Sequence, residues 1–183
     1  MIVIMSLAIF ERLAALAVRR RAIGKGVSLF ARGDTVRALW LVDDGMMELI
    51  RRREDGGFLV LQRAGARSVL AEASLYANAY HCDAVALRAS ALLEIPRRDF
   101  DAALAGDAAL ANDWAAYLAR EVQAARLRSE ILSLKTVAER LDGWLAWNGG
   151  VLPAKGAWKG IAAETGVSPE ALYRELGRRR LQK

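Results

Sequence analysis

Short apolar runs between Val27 and Ile95 restrict the fold of this chain more than any other feature of its sequence. Asp43-Asp44-Gly45 and Asp55-Gly56-Gly57 separate neighbouring runs and predict hairpins, because Gly adopts positive φ without strain. Strands this short, at a spacing of roughly ten residues, are typical of an antiparallel β-roll or jelly roll. We expect six strands: Val27–Ala31, Arg37–Val42, Gly45–Arg51, Phe58–Gln62, Asp83–Arg88 and Ala91–Ile95.

Helical patterns lie on both sides of the strand region. The apolar spacing from Ile9 to Leu16 predicts a helix over Ser6–Arg21, whose last turn would hold Arg19, Arg20 and Arg21. After Pro96 we expect a short helix over Arg97–Ala105 and then a long helical stretch from Ala108 to about Trp147, broken near Gly143. The chain is therefore predicted to have an α+β fold: an N-terminal β-roll, a long helix and a small C-terminal helical domain.

The long helical stretch carries two apolar faces. One is a seam of small and apolar residues at alternating spacings of four and three: Ala111, Ala115, Leu118, Val122, Ala125, Ser129 and Leu132. The other consists of Leu110, Trp114, Tyr117, Ala124 and Ile131. Either both faces pack within one chain, or one docks on the β-roll and the other on a second copy. We favour the second arrangement, with Trp114, Leu118, Val122, Ala125 and Leu132 at a homodimer interface.

The strongest local pattern lies in residues 158–180 and predicts helix, tight turn, helix. Gly166 suits a left-handed turn residue, Ser168 an N-cap and Pro169 the first helical position. This is the pattern of a helix-turn-helix, and the alternative is a helical hairpin that only packs. For DNA binding we expect eight residues of the second helix and its start: Ser168, Pro169, Glu170, Tyr173, Arg174, Arg178, Arg179 and Arg180.

Composition excludes several classes of protein. Hydrophobic residues make up 54% and charged residues 26% of the chain, which excludes intrinsic disorder. The net charge is +6, and residues 151–183 hold seven basic against three acidic residues, which suits an anionic partner at that end. The chain has one Cys and one His, so we expect neither a disulfide framework nor a metal site.

Neither an enzyme nor an exported protein is expected. The sequence has no Gly-rich phosphate loop at a strand–helix junction and no paired nucleophile and base. The apolar segment Met1–Phe10 is too short to span a bilayer and lacks a signal peptide's basic region and cleavage site. We therefore expect a soluble cytoplasmic protein.

Several motifs, in their order along the chain, resemble the Crp/Fnr family of bacterial transcription regulators. They are Leu29–Asp34, Trp40–Gly45, Leu70–Tyr76, Tyr80–Ala86 and Ile95–Phe100, followed by the long helix and the helix-turn-helix. The resemblance implies a cyclic-nucleotide-binding-like β-roll sensor domain at residues 1–106, a dimerisation helix at 107–135 and a DNA-binding domain at 136–183.

The sequence departs from the nucleotide-binding members of this family at the phosphate cassette. Those members carry Gly-Glu, a short helix and then Arg, whereas here Ala71 replaces the Gly and Tyr80-His81-Cys82 replaces the Arg. Without a guanidinium the cyclic phosphate loses its bidentate partner, so we expect no response to cyclic AMP or cyclic GMP through the usual contacts. The pocket residues implied by the resemblance are Glu72, Ala73, Ser74, Tyr80, His81 and Cys82.

We expect no cofactor, although haem ligation by His81 or Cys82 stays open as an alternative. An iron–sulfur cluster is excluded because it needs several Cys residues. Relatives continue past the second helix into a two-stranded wing, and this sequence ends seven residues after Leu176, so we expect no wing. Arg178, Arg179, Arg180 and Lys183 would then hold the DNA phosphates in its place.

These observations predict a dimeric, sequence-specific DNA-binding regulator of Crp/Fnr type. Glu170 and Arg174 match the family's base-reading Glu and Arg, whereas Pro169 falls where the first reading Arg stands. The implied partners are double-stranded DNA, a second copy of the chain, RNA polymerase as a further candidate and an unknown small-molecule effector, with no membrane. The alternative is a dimeric β-roll module for protein interaction with a degenerate DNA-binding domain.

Overall fold

The computed structural model describes residues 2–52, 54 and 58–180. It confirms the predicted α+β class, with an antiparallel sheet followed by helices. The strands are β1 Arg19–Ile23, β2 Ser28–Phe30, β3 Ala38–Arg52, β4 Phe58–Gly65, β5 Ser68–Leu70 and β6 Asp83–Pro96. The α-helices are α1 Ile2–Ala14, α2 Arg97–Gly106, α3 Ala108–Ser133, α4 Val137–Trp147, α5 Trp158–Glu164 and α6 Pro169–Arg180. Short 3-10 helices span Glu72–Tyr76 and Lys155–Ala157.

Strands β3 and β6 form the centre of the sheet. They pair antiparallel from Ala38 opposite Pro96 to Ile50 opposite Asp83. On the other side of β3 lie β4 and β5, and on the other side of β6 lie β1 and β2, all antiparallel. Their inward side chains and those of α1, α2 and the start of α3 form one apolar core. Along the chain, the 3-10 helix Glu72–Tyr76 follows β5 and precedes β6.

The hairpin predicted at Asp43-Asp44-Gly45 is wrong, because β3 continues through these residues. The pairing with β6 shifts register on both sides of Asp44, so the strand contains β-bulges here. Gly45 has φ +97°, and a Cβ at this position would lie 2.5 Å from the Ser90 Cα. Gly45 therefore permits a close approach between two strands. Asp83–Arg88 and Ala91–Ile95 are likewise parts of one strand, β6.

The predicted hairpin turn at Asp55-Gly56-Gly57 lies outside the described residues. Strands β3 and β4, on its two sides, pair antiparallel up to Arg52 opposite Phe58.

The prediction of a helix over Ser6–Arg21 is wrong in its second half. Helix α1 ends at Ala14, and the Leu16 and Ala17 amides donate to the Leu13 and Ala14 carbonyls in a tight turn. Arg19, Arg20 and Arg21 lie in β1, whose first residue is opposite Glu94 of β6. Pairing with β6 supplies backbone hydrogen-bond partners that the local helical pattern does not reveal. The apolar spacing still identified the buried face of α1, which contains Ile9, Phe10 and Leu13.

The long helical stretch breaks at residues 134–136 and not near Gly143. Thr136 caps α4: its hydroxyl accepts from the Glu139 N–H at 3.1 Å, and the Glu139 carboxylate accepts from the Thr136 N–H at 2.9 Å. This capping box starts a new helix. Gly143 lies inside α4, where a Cβ would be 3.2 Å from Ile131 Cγ1. Gly143 therefore lets α4 approach α3 closely.

The chain forms two compact units, residues 1–118 and 119–183, and α3 contributes to both. The first unit contains the sheet. The second has its own small core of Leu141, Trp158, Ile161, Ala162, Leu172 and Leu176. In the part of the chain that the structure describes, no helix combines the length and apolar character needed to cross a membrane.

Candidate nucleic-acid interface and effector pocket

Helices α5 and α6 form the predicted helix-turn-helix. Ala162 and Leu172, on the facing sides of the two helices, are 1% and 0% exposed. Gly166 in the turn has φ +64°, and the Val167 N–H donates to the Ala162 carbonyl at 2.9 Å. The turn is therefore closed by the backbone conformation that the sequence predicted for Gly166.

The start of α6 presents polar groups to solvent. The Ser168 hydroxyl accepts from the Ala171 N–H at 3.2 Å, as expected of an N-cap. The pKa of Glu170 is lowered by its own backbone N–H, by the Ser168 hydroxyl and by the positive charges of Arg174 and Lys159. Ser168, Glu170 and Arg174 are all exposed. This end of the helix therefore carries an ionised carboxylate and a guanidinium one turn apart.

Two other candidates at this helix are less exposed than the sequence indicated. Pro169 is half-buried. Tyr173 is also half-buried, with its ring centroid 5.7 Å from that of Trp158 in the second core. The Tyr173 ring, expected at the DNA, also packs on Trp158 of the second core.

Residues 71–82, which we call the cassette, begin with a strained residue. Ala71 has φ 57° and ψ 38°, a left-handed conformation that crowds a Cβ. Its N–H donates to Gln62 Oε1 of β4 at 3.2 Å, and Gln62 Nε2 donates to Glu72 Oε2 at 3.0 Å. Glu72 is half-buried and Ala73 exposed. Among the described residues, the Ser74 hydroxyl is the buried side-chain polar group that has no hydrogen-bond partner.

The end of the cassette is partly inside the core. Tyr80 stacks on Phe30 with ring centroids 3.5 Å apart, and its hydroxyl donates to the Ala38 carbonyl at 3.3 Å. Cys82 is 0% exposed, and burial raises the pKa of its thiol, which disfavours the thiolate. His81 is exposed. His81 and Cys82 precede β6 rather than lying in a strand, and the two residues differ completely in exposure.

The α3 residues expected at the dimer interface differ in exposure. The prediction that Trp114 lies at the dimer interface is wrong, because its ring is buried in the core of its own chain. Its ring is 2% exposed, lies edge-on to Phe100 at 5.0 Å and donates its N–H to the Tyr76 hydroxyl at 2.7 Å. Val122 and Leu132 are 48% and 40% exposed. Ala125 is exposed and Leu118 half-buried.

Comparison with known proteins places the chain in a family. Residues 20–107 match the family model of the cyclic nucleotide-binding domain. The chain is 31% identical over 124 residues to the cyclic AMP receptor protein of Thermus thermophilus, a match that covers 67% of this chain and 57% of that protein. The chain belongs to the Crp/Fnr family.

Solved structures share the fold of this Crp/Fnr-family chain. FixK2 from Bradyrhizobium japonicum matches with a TM-score of 0.72 at 18% identity, over 90% of this chain and 85% of that one. The c-di-GMP responsive global regulator CLP from Xanthomonas campestris matches with a TM-score of 0.68 at 18% identity, over 96% of this chain and 92% of that one. Both matches extend over both compact units.

The basic run at the end of α6 makes internal contacts in this Crp/Fnr-family chain. Arg178 donates to both carboxylate oxygens of Glu175, at 3.0 and 2.8 Å. Arg179 donates to Glu175 at 2.6 Å, to Asp142 at 2.5 Å and to the Ala138 carbonyl at 3.0 Å. These arginines lower the pKa of Glu175 to about 2. Arg179 therefore joins α6 to α4, a role the sequence reading did not include.

Two further basic residues, Arg180 and Lys183, were expected at the DNA phosphates. The Arg180 guanidinium lies 5.3 Å from the Trp158 ring centroid, a cation–π distance, while the residue stays exposed. Lys183, also expected at the phosphates, lies outside the described residues.

Arg140 is a residue of the candidate interface that sequence reasoning missed. Its Nε donates to the Leu134 carbonyl at 2.8 Å, and its Nη1 donates to the Thr165 and Gly166 carbonyls at 3.3 and 3.2 Å. One side chain thus joins the end of α3 to the turn of the helix-turn-helix. The Thr-x-x-Glu capping box reveals where α4 begins. The three carbonyl partners could not be read from the sequence, since they lie 6 to 26 residues away.

Proposed function

We propose that this chain is a dimeric, sequence-specific DNA-binding transcription regulator that does not respond to cyclic AMP or cyclic GMP. In this proposal residues 1–106 are a sensor domain, 107–135 a dimerisation helix and 136–183 the DNA-binding domain. The observation that carries the proposal is the exposed start of α6 in a helix-turn-helix, with Glu170 and Arg174 one turn apart. The similarity to a cyclic AMP receptor protein supports the regulator class.

Base reading is assigned to Glu170 and Arg174. An ionised carboxylate accepts from the amino group of cytosine, and a guanidinium donates to O6 and N7 of guanine. Ser168, exposed beside them, contributes a hydroxyl at the groove edge. Pro169 has no N–H and no polar side chain, so the contact matching the family's first reading Arg is absent. The preferred DNA sequence should therefore differ from that of relatives that carry this Arg.

Phosphate contacts are assigned to Arg178 and Arg180. Both are exposed at the end of α6. Arg179, also expected at the phosphates, is half-buried and contacts α4, so its replacement would disturb the fold of the domain.

Dimerisation is assigned to the exposed side of α3. Val122 and Leu132 leave large apolar surface in contact with water, and Ala125 between them allows two helices to approach closely. Burying such a seam against its copy removes this surface from water.

The lack of a cyclic nucleotide response is inferred from the end of the cassette. Cys82, at the place where nucleotide-binding relatives carry Arg, is fully buried, and its pKa is raised by burial. A neutral thiol inside the core provides neither charge nor a bidentate donor for a phosphate.

Selection of bound duplexes from a random pool, followed by fluorescence anisotropy over a range of salt concentrations, tests the DNA-binding proposal. Arg174→Ala should weaken binding to the selected site by about 1–3 kcal/mol and leave random DNA nearly unaffected. Arg178→Ala should weaken binding to the selected site and to random DNA alike, and should reduce the slope of log K against log salt concentration by about 1. Arg98→Ala, an exposed Arg of α2, is the control for net charge. If the chain shows no salt-sensitive binding to duplex DNA, the regulator proposal is wrong and the dimeric protein-interaction module is the better description.

A further inference from the structure

Gln62 lies on β4, outside the cassette, yet its carboxamide makes two hydrogen bonds to the start of the cassette. Its Oε1 accepts from the Ala71 N–H at 3.2 Å, and its Nε2 donates to Glu72 Oε2 at 3.0 Å. A carboxamide is a neutral group with a donor and an acceptor side by side. The two groups it binds, one backbone donor and one carboxylate, are complementary to it.

These hydrogen bonds act on the most strained part of the cassette. Ala71 is 6% exposed and adopts φ 57°, a conformation that disfavours residues with a Cβ. A buried N–H needs a partner, and water has little access to this one. The Gln62 oxygen is that partner, so the strained turn is held by a side chain from the neighbouring strand.

The other parts of the cassette are also held by the protein itself. The Arg97 guanidinium donates to the Ala77 carbonyl at 3.0 Å, and the Tyr80 ring stacks on Phe30. The cassette is thus tied to β4, to α2 and to the sheet by groups of its own chain.

We propose that Gln62 is a built-in ligand of the cassette, holding it in its closed arrangement without a small molecule. The inference rests on the proposed position of the effector pocket at residues 72–82. With Gln62 in place, Glu72 Oε2 and the Ala71 N–H are already occupied. A small-molecule effector that uses these groups has to displace the carboxamide.

Amide hydrogen exchange measured by NMR on the full chain tests the role of Gln62. In Gln62→Ala the Ala71 amide should exchange at least about tenfold faster than in the wild type, because its partner is gone. Acetamide at about 100 mM, a concentration suited to a fragment of four heavy atoms, should restore the protection. Acetate should not, because it has no donor and would meet the Glu72 carboxylate.

Two further variants separate the hydrogen bonds from packing. Gln62→Met keeps the length of the side chain but has no amide, so the Ala71 amide should exchange fast and acetamide should find no space. Gln123→Ala removes an exposed Gln of α3 and should leave the Ala71 amide protected. Unchanged exchange in Gln62→Ala, or equal rescue by acetate, would overturn the proposal.

DNA binding by the wild-type chain is measured separately, on the duplex selected with that chain. A wild-type chain that binds no DNA would contradict the proposed function, while the exchange of the Ala71 amide would still decide whether Gln62 holds the cassette.

Discussion

Replacing Gly166 by Ala tests how the helix-turn-helix is built. Gly166 has φ +64°, and a Cβ here would lie 2.6 Å from Leu132 Cδ2 and 3.4 Å from Arg140 Nη1. A left-handed conformation costs an L-residue about 1–2 kcal/mol. Overpacking costs about 1–3 kcal/mol, and the lower part of that range applies because the Leu132 side chain is 40% exposed and can move. Gly166→Ala should therefore destabilise the second unit by about 2–4 kcal/mol.

Gly177→Ala is the matched control for this substitution. Gly177 lies inside α6, and apart from its own helix backbone no atom of the described residues is within 4 Å of the position its Cβ would take. Because Gly is unfavourable inside a helix, this variant should be stabilised by about 0.5–1 kcal/mol. The same chemical change, eleven residues further along, is thus expected to have the opposite sign.

Hydrogen exchange of the α5 and α6 amides provides the measurement. A loss of about 2–4 kcal/mol lowers the protection of these amides by roughly 30- to 1,000-fold, while the amides of β3 and β6 should keep theirs. Gly166→Ala should also lose affinity for the selected duplex, since α6 would no longer be held against α5. If Gly166→Ala keeps wild-type protection, or if both variants shift in the same direction, the account of the turn is wrong.

Three further predictions concern the dimer, acid stability and the pocket. Val122→Glu should give a monomer in light scattering, because two like charges would face each other across the two-fold axis. The control variant Gln123→Glu should stay a dimer. If Val122→Glu is still a dimer, the interface lies elsewhere. Glu175, whose pKa falls from its ordinary 4.5 to about 2 on folding, stabilises the chain fully above that ordinary value and loses this contribution as the pH falls towards 2. The free energy of unfolding of Glu175→Gln should thus be lower than that of the wild type by on the order of 1–2 kcal/mol at pH 7. Urea unfolding should show that this free energy decreases less steeply in the variant as the pH falls from 4.5 to 2. An equally steep decrease in both proteins would contradict this. Calorimetry with cyclic AMP at up to millimolar concentration should show no binding, and the protein should show no Soret band; a micromolar Kd, about −8 kcal/mol, would overturn the pocket assignment.

Local chemistry explains why the helix-turn-helix was predictable. Gly166, Ser168 and Pro169 each suit one backbone position within a few residues of one another, and all three take that position in the structure. The facing sides of the two helices contain the small residue Ala162 and the apolar residue Leu172.

The strand region shows where local chemistry misleads. Asp-Asp-Gly at residues 43–45 is a good turn sequence, but the neighbouring strand β6 pairs with both sides of it and keeps the chain extended. Likewise, Arg19–Arg21 suit the end of a helix and lie instead in β1. In both places, hydrogen bonds to a strand more than 40 residues away outweigh a preference that acts over a single turn.

The candidate sites also combine features set by neighbouring residues with features set by contacts between distant residues. The sequence by itself determined which groups stand at the start of α6 and that the cassette lacks Arg, because these are statements about residue type at neighbouring positions. Only the tertiary structure decided that Trp114 lies in the core, that Arg179 and Arg140 hold the helices of the second unit, and that Gln62 reaches the cassette. The contacts that Gln62, Arg140 and Arg179 make outside their own helix or strand join residues that are 6 to 41 positions apart, and the reach of a side chain across that gap depends on how the intervening elements pack.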